Sequence, residues 1–174
     1  WHILNELVCF DMGVMRFSEL LRGEIRKLYR NYEVMIYGDP SGDFRSQTDE
    51  RTPFQIMRTY GLKAIPAPSN DPALRIEAVD AALCRLLDGK PGFLLDPQCI
   101  NLKKGFNGGY HYRRLQTSGS RYDEKPMKNR YSHCHDALQY LMMGAGEGRT
   151  ILSGKERSQP TVVKQEWDVF AKAN

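Results

Sequence analysis

Two aspartates stand where this chain could do chemistry. Asp39 directly follows the apolar run 33–38 (EVMIYG), inside Gly38-Asp39-Pro40-Ser41-Gly42. If that run is a buried parallel strand, Asp39 sits at its carboxyl end, where open α/β sheets gather functional groups beside a crevice. Gly38 and Gly42 would let backbone or substrate come close. The alternative is an aspartate that only makes a turn with Pro40 and Gly42. Asp136 lies in Ser132-His133-Cys134-His135-Asp136-Ala137, read as the first turn of an otherwise apolar helix. A helix dipole alone would favour an acid there. If the two acids converge across a sheet, their repulsion calls for a cation between them. Mg²⁺ takes oxygen ligands, usually one or two carboxylates with phosphate and water. A metal pair about 4 Å apart can activate water and stabilise the leaving oxygen in phosphodiester cleavage.

The other acids have plainer readings. Asp71 precedes Pro72 and suits a helix cap. Asp96 ends the run 92–95 (GFLL) and is the main rival of Asp39, while Asp43 could join Asp39 as an outer metal ligand. Asp11, Asp49 and Glu50 carry no further signal. His133-Cys134-His135 tempts a zinc reading, but structural zinc wants four ligands at other spacings, and alternate residues on a helix point apart. A polar helix start, or a histidine near a phosphate, fits better. A third feature is basic and aromatic: Lys103 and Lys104, then Tyr110, His111, Tyr112, Arg113 and Arg114, then Lys125, Lys128 and Arg130. Cations interleaved with aromatics suit a nucleic-acid backbone, and a solvated surface hairpin is the plain alternative.

The elements that must position these groups alternate. Residues 1–10 read as a strand, and 12–30 as an amphipathic helix with Val14, Phe17, Leu21, Ile25 and Leu28 on one face. The strand 33–38 follows. Thr52-Pro53 opens a helix that Gly61 stops, and 62–65 can be another strand. From Asp71-Pro72 the periodicity predicts a helix to about Leu87, ended by Gly89. The strand 92–95 precedes a hairpin over 110–115 and 116–125, and a final helix spans 132–143. The tail from Gly146 is polar, weakly patterned and expected to be largely mobile. This alternation argues for an α/β sheet with crossover helices.

Composition narrows the class. The 174 residues suffice for one domain with a hydrophobic core, and the apolar and charged fractions are ordinary for a globular protein. No apolar run approaches the roughly 18 residues of a transmembrane helix, and no basic-then-apolar signal segment opens the chain. The net charge of +4 is compatible with a polyanion if it is clustered. Cys9, Cys84, Cys99 and Cys134 form no CxxC pair, so reduced thiols are expected. The chain opens on Trp1 without an initiator Met and reads as a piece of something longer.

Taken in order, the residues resemble those of the terminase large subunits of tailed phages. The run Tyr37-Gly38-Asp39-Pro40-Ser41-Gly42-Asp43-Phe44-Arg45-Ser46 is similar to that family's GDPAG-type motif. Asn70-Asp71 with Arg75-Ile76-Glu77-Ala78-Val79, Gly89 to Pro97, and Lys104 to Tyr110 follow in the same order. Pro126 to His133 and Asp136-Ala137-Leu138-Gln139-Tyr140 close the series, so the resemblance covers residues 1 to about 147. It implies the partial C-terminal nuclease domain over 1–147 and a polar tail over 148–174. The implied fold is an RNase H-like mixed sheet with flanking helices, its first strands missing here. The implied activity is a two-metal endodeoxyribonuclease that cuts concatemeric double-stranded DNA during packaging, with Mg²⁺ or Mn²⁺. By position Asp39 resembles the family's second acid and Asp136 its third, with Lys128 and His133 beside the phosphate. Implied DNA contacts are Lys103, Lys104, Tyr110, Tyr112, Arg113, Arg114 and Arg130. The family's partners would be an ATPase domain, the portal protein and the small terminase subunit, in the host cytoplasm.

The sequence departs from that pattern in two ways. The family's first acid belongs to a strand upstream of Trp1. Residues 1–10 look like the third strand, so Asp11 follows a strand expected to run antiparallel and substitutes poorly. No GxxxxGK[ST] phosphate loop is present. A reading of another class is therefore a non-catalytic prophage remnant that binds DNA or packaging partners. A third keeps the fold but changes the substrate, to a Holliday junction or an RNA–DNA hybrid.

Overall fold

The computed structural model describes residues 1–43, 51–114 and 121–153. Asp49, Glu50, the hairpin tip and the tail beyond Ser153 lie outside them. The fold is mixed α/β. The parallel strands β2 (Met35–Gly38) and β3 (Lys63–Pro66) pair with Gly38 opposite Pro66, which delivers Asp39 at the carboxyl end of β2. The expected first strand is short: β1 (His2–Ile3) pairs in parallel with β6 (Leu94–Leu95), not antiparallel. Asp11 lies well beyond it, exposed and at a φ of 52°. Among the described residues the strands pair two by two, without one continuous sheet.

Local chemistry explains most helix starts. The helix α1 (Val14–Leu28) turns Val14, Leu21 and Ile25 toward α2 (Pro53–Thr59), where Phe54 and Met57 join Leu62 and Ala64 in a small core. Thr52 caps α2 in a reciprocal box with Gln55: each side chain takes the other's backbone N–H. Asp71 caps α3 (Pro72–Leu83), accepting from the Ala73 and Leu74 backbone N–H groups at 2.8 and 3.2 Å.

The structure shortens α3. Leu86 and Leu87 form β4 of a hairpin with β5 (Lys90–Pro91), turning on Asp88 and Gly89 at φ 51° and 76°. An Asp-Gly pair with both φ positive is the two-residue hairpin signature, and it overrides the helical spacing of the leucines.

The sequence did not predict α4 (Ile100–Lys104), and the reason is distance. Its N-terminus is capped by Glu6, whose carboxylate accepts from the backbone N–H of Asn101 at 2.7 Å and of Leu102 at 3.0 Å. An irregular turn, Gly105–Gly109, closed by the Tyr110 N–H on the Gly105 carbonyl at 3.0 Å, leads to the antiparallel pair β7 (Tyr112–Arg114) and β8 (Tyr122–Pro126). The main core joins Ala78, Val79 and Ala82 of α3 to Leu138, Met142 and Met143 of α5 (Ser132–Gly144), with Ile3, Phe93, Cys99 and Leu102.

The polar stretch after Gly146 begins as a helix, α6 (Glu147–Ser153), rather than as an unstructured tail. Glu147 is almost fully buried. It accepts two hydrogen bonds from the Arg85 guanidinium, at 2.7 and 2.8 Å, and one from Trp1 Nε1 at 2.6 Å. The four cysteines form no disulfide.

Candidate functional site

The helix α5 sorts its side chains by face. His133, Asp136, Ala137 and Tyr140 recur at helical spacing along one side, and all four line a cleft of about 690 Å³. The opposite side turns His135, Leu138 and Met142 into the core. The strand β2 faces the same cleft with Tyr37, Gly38 and Asp39, and the start of α3 adds Asn70 and Arg75. Asp39 and Asp136, far apart in sequence, thus share one opening. Asp136 is the fifth residue of α5, past the first turn, so the helix dipole does not account for it.

Asp39 also makes the turn expected of it: its Oδ1 accepts from the Ser41 backbone N–H at 2.8 Å. Phe54 lies beneath this loop. A Cβ on either Gly38 or Gly42 would meet its ring at 3.2 Å, so the glycines permit close seating of the loop on α2. Burial tends to raise the Asp39 pKa. The Ser41 backbone N–H, the neighbouring Tyr140 and Ser41 hydroxyls and the charge of Arg75 outweigh it, so the net shift is downward. Burial, then Asp39 itself, pushes the Tyr140 phenol well above its ordinary range, and its hydroxyl also lies 2.6 Å from Asn70 Oδ1.

Two cations hold Asp136. Lys128 Nζ binds its Oδ2, and Arg75 Nη1 stands 3.6 Å from its Oδ1. The Arg75 guanidinium lies over the Tyr140 ring, 4.5 Å from its centroid. Lys125 lines the cleft as well, so Arg75, Lys125 and Lys128 face the two carboxylates of Asp39 and Asp136. Nothing in the sequence pattern alone gives Arg75, Asn70 or Tyr140 a chemical role. The i, i+3, i+4, i+7 stripe from His133 to Tyr140 is the signal that would have found Tyr140.

Other candidates fall elsewhere. Asp43 ends a 3₁₀ turn, Pro40–Asp43, exposed and not among the residues lining the cleft. Asp96 makes a turn, accepting from the Gln98 backbone N–H at 2.9 Å. His133 is exposed in the cleft, whereas His135 is buried, stacked on Tyr110 with centroids 4.7 Å apart and its Nε2 3.2 Å from the Leu102 carbonyl. These two histidines therefore cannot share a zinc ion. Among the described residues no group of three or more His, Cys, Asp or Glu side chains is placed to hold a metal.

The basic segment divides too. Lys103 and Lys104 are exposed at the end of α4, outside the cleft. Tyr110 is a packing residue, its hydroxyl accepting from Gln139 Nε2 at 2.9 Å. Tyr112, Arg113 and Arg114 are exposed on β7, and exposed Arg130 lies 5.6 Å from the ring of Tyr131. Among the described residues no helix is long and apolar enough to cross a membrane. Comparison with protein-family models, with curated proteins and with solved structures gives no match.

Proposed function

We propose that the chain is the nuclease part of a phage terminase large subunit, an RNase H-like domain that hydrolyses double-stranded DNA with Mg²⁺ or Mn²⁺. The observation that carries the reading is the shared cleft. Asp39 and Asp136, picked from sequence as a carboxylate pair, line one opening together with Lys125, Lys128 and His133. Both are oxygen donors of the kind that hard divalent cations require, and Asp39 is held in its ionised form. Asp39 and Asp136 would hold the metal, which when bound supplies Lewis-acid activation of water and neutralises charge on the phosphodiester. Lys125 and Lys128 attract the DNA backbone, and the exposed His133 of the cleft lining contacts phosphate. Exposed Arg113 and Arg114 extend the basic surface along the hairpin, giving contacts that position DNA without reading its sequence. In this reading the ATPase domain, portal protein and small terminase subunit are its packaging partners.

The test is cutting of linear duplex DNA in Mg²⁺ or Mn²⁺ by the purified chain and by Asp39→Asn and Asp136→Asn. Loss of metal-dependent cutting in both variants is expected. Holliday-junction and RNA–DNA hybrid substrates, run in parallel, should be cut less well. The specific observation behind a second, non-catalytic reading is that the described residues group no third acid with these two. A wild-type chain that binds duplex but never cuts it, with neither substitution changing metal affinity, would establish that reading instead.

A further inference from the structure

We propose that Arg75 is the phosphate ligand of this cleft, and that it takes a DNA phosphate when a metal ion draws Asp136 away. The inference rests on the nuclease reading and adds the group that couples metal to DNA.

The Arg75 side chain is only 9% exposed, yet it lines the cleft. Its Nε and Nη1 are buried without a hydrogen-bond partner. The nearest carboxylate oxygen, Asp136 Oδ1, is 3.6 Å away, beyond hydrogen-bond reach. Buried donors on a cation are costly to leave unsatisfied. The Arg75 Cζ lies over the Tyr140 ring, 4.5 Å from the centroid, an attraction that holds the guanidinium at the cleft wall.

Asp136 is therefore divided between two cations, Lys128 and Arg75, and fully satisfies only Lys128. A metal that takes Asp136 removes the charge on which Arg75 leans and uncovers the buried Nη1. The cleft then presents Arg75, Lys125 and Lys128 to whatever enters. A planar guanidinium fork matches two oxygens of one phosphate, which a lysine cannot do. Metal comes first and phosphate second, and by linkage each must tighten the other.

The experiment uses the full chain and a short fluorescent duplex, with Ca²⁺ as the metal so that binding is read without cutting. Ca²⁺ should tighten duplex binding of the wild type about tenfold, within the usual range of coupling between sites. In Arg75→Met, which keeps the apolar stack on Tyr140, the duplex affinity should be the same with and without Ca²⁺. Mn²⁺ binding to this variant without DNA, followed by the paramagnetic resonance of free Mn²⁺, should stay at least as tight as in the wild type. Arg75→Lys keeps the charge and disturbs packing less, and it too should lose most of the coupling. Wild-type coupling in either variant, or no Ca²⁺ effect in a wild type that binds Mn²⁺, overturns the assignment and leaves the nuclease reading standing. A wild type that binds no Mn²⁺ overturns both.

Discussion

Gly144 lets α5 pack closely on Tyr37 of β2, and an alanine there should disturb the cleft more than the fold. It is the last residue of α5, and a Cβ built on it would lie 2.1 Å from Tyr37 Cδ1 and 2.3 Å from Tyr37 Cγ. Carbon atoms in contact prefer about 3.5–4.0 Å, so helix and strand would have to part by roughly 1 Å or more. Cγ lies next to the strand backbone, so the ring cannot clear the methyl by flexing its far end. Tyr37 belongs to β2, which carries Asp39 at its end, and Gly144 belongs to the helix that carries Asp136. Local propensity alone would favour alanine over glycine by about 1 kcal/mol. Overpacking costs about 1–3 kcal/mol, so a net loss near 1 kcal/mol is expected. In a chain of this size that lowers Tm by roughly 2–4 °C. On the nuclease reading, a displacement of about 1 Å between the two acids costs on the order of a hundredfold in cutting rate. Calorimetric Tm and initial rates of Mn²⁺-dependent duplex cutting, taken well below Tm, separate the two effects. An unchanged rate with a raised Tm would show that β2 and α5 are not held at contact distance by this glycine.

Three further perturbations follow from the packing. Glu147→Ala leaves the partly buried Arg85 without its carboxylate and Trp1 Nε1 without an acceptor. About 3 kcal/mol should be lost, the lower end for a broken buried pair because Arg85 is partly exposed; an unmoved urea midpoint would contradict this. Phe54→Ala removes the ring beneath the Asp39 loop and should cost about 3–5 kcal/mol, with faster proteolysis between Gly38 and Asp43; urea unfolding and limited digestion report the two. Burial lowers the His135 pKa, against the opposing effects of the Leu102 carbonyl, Asp136 and Glu6. The unfolded chain therefore takes up this proton first as pH falls, so stability is full above about pH 6.5 and declines below it toward the folded pKa. The Tm drop between pH 7.5 and 5.5 should be smaller in His135→Leu, and an equal drop would assign it to other groups.

What is legible along the chain is what neighbouring residues can enforce. Thr52 with Gln55, and Asp71 with Pro72, mark their helix starts because a cap is satisfied within three residues of itself. Asp39 was legible because an apolar run ending in Gly-Asp-Pro points to a strand and its carboxyl end. The Asp88-Gly89 turn is equally local, but the leucine spacing from Leu74 to Leu87 imitates a longer helix. Tertiary structure alone decided the rest. The Glu6 cap on α4, the burial of Glu147 against Arg85 and Trp1, and the fit of Gly144 on Tyr37 join residues whose own neighbours give no sign of them. The same holds for the cleft. Arg75 looks in sequence like any exposed helix arginine, and only the packing of α3 against α5 buries it beside Asp136 and under-satisfies its donors. Local signals say where an element begins, whereas burial and charge pairing depend on which surfaces meet.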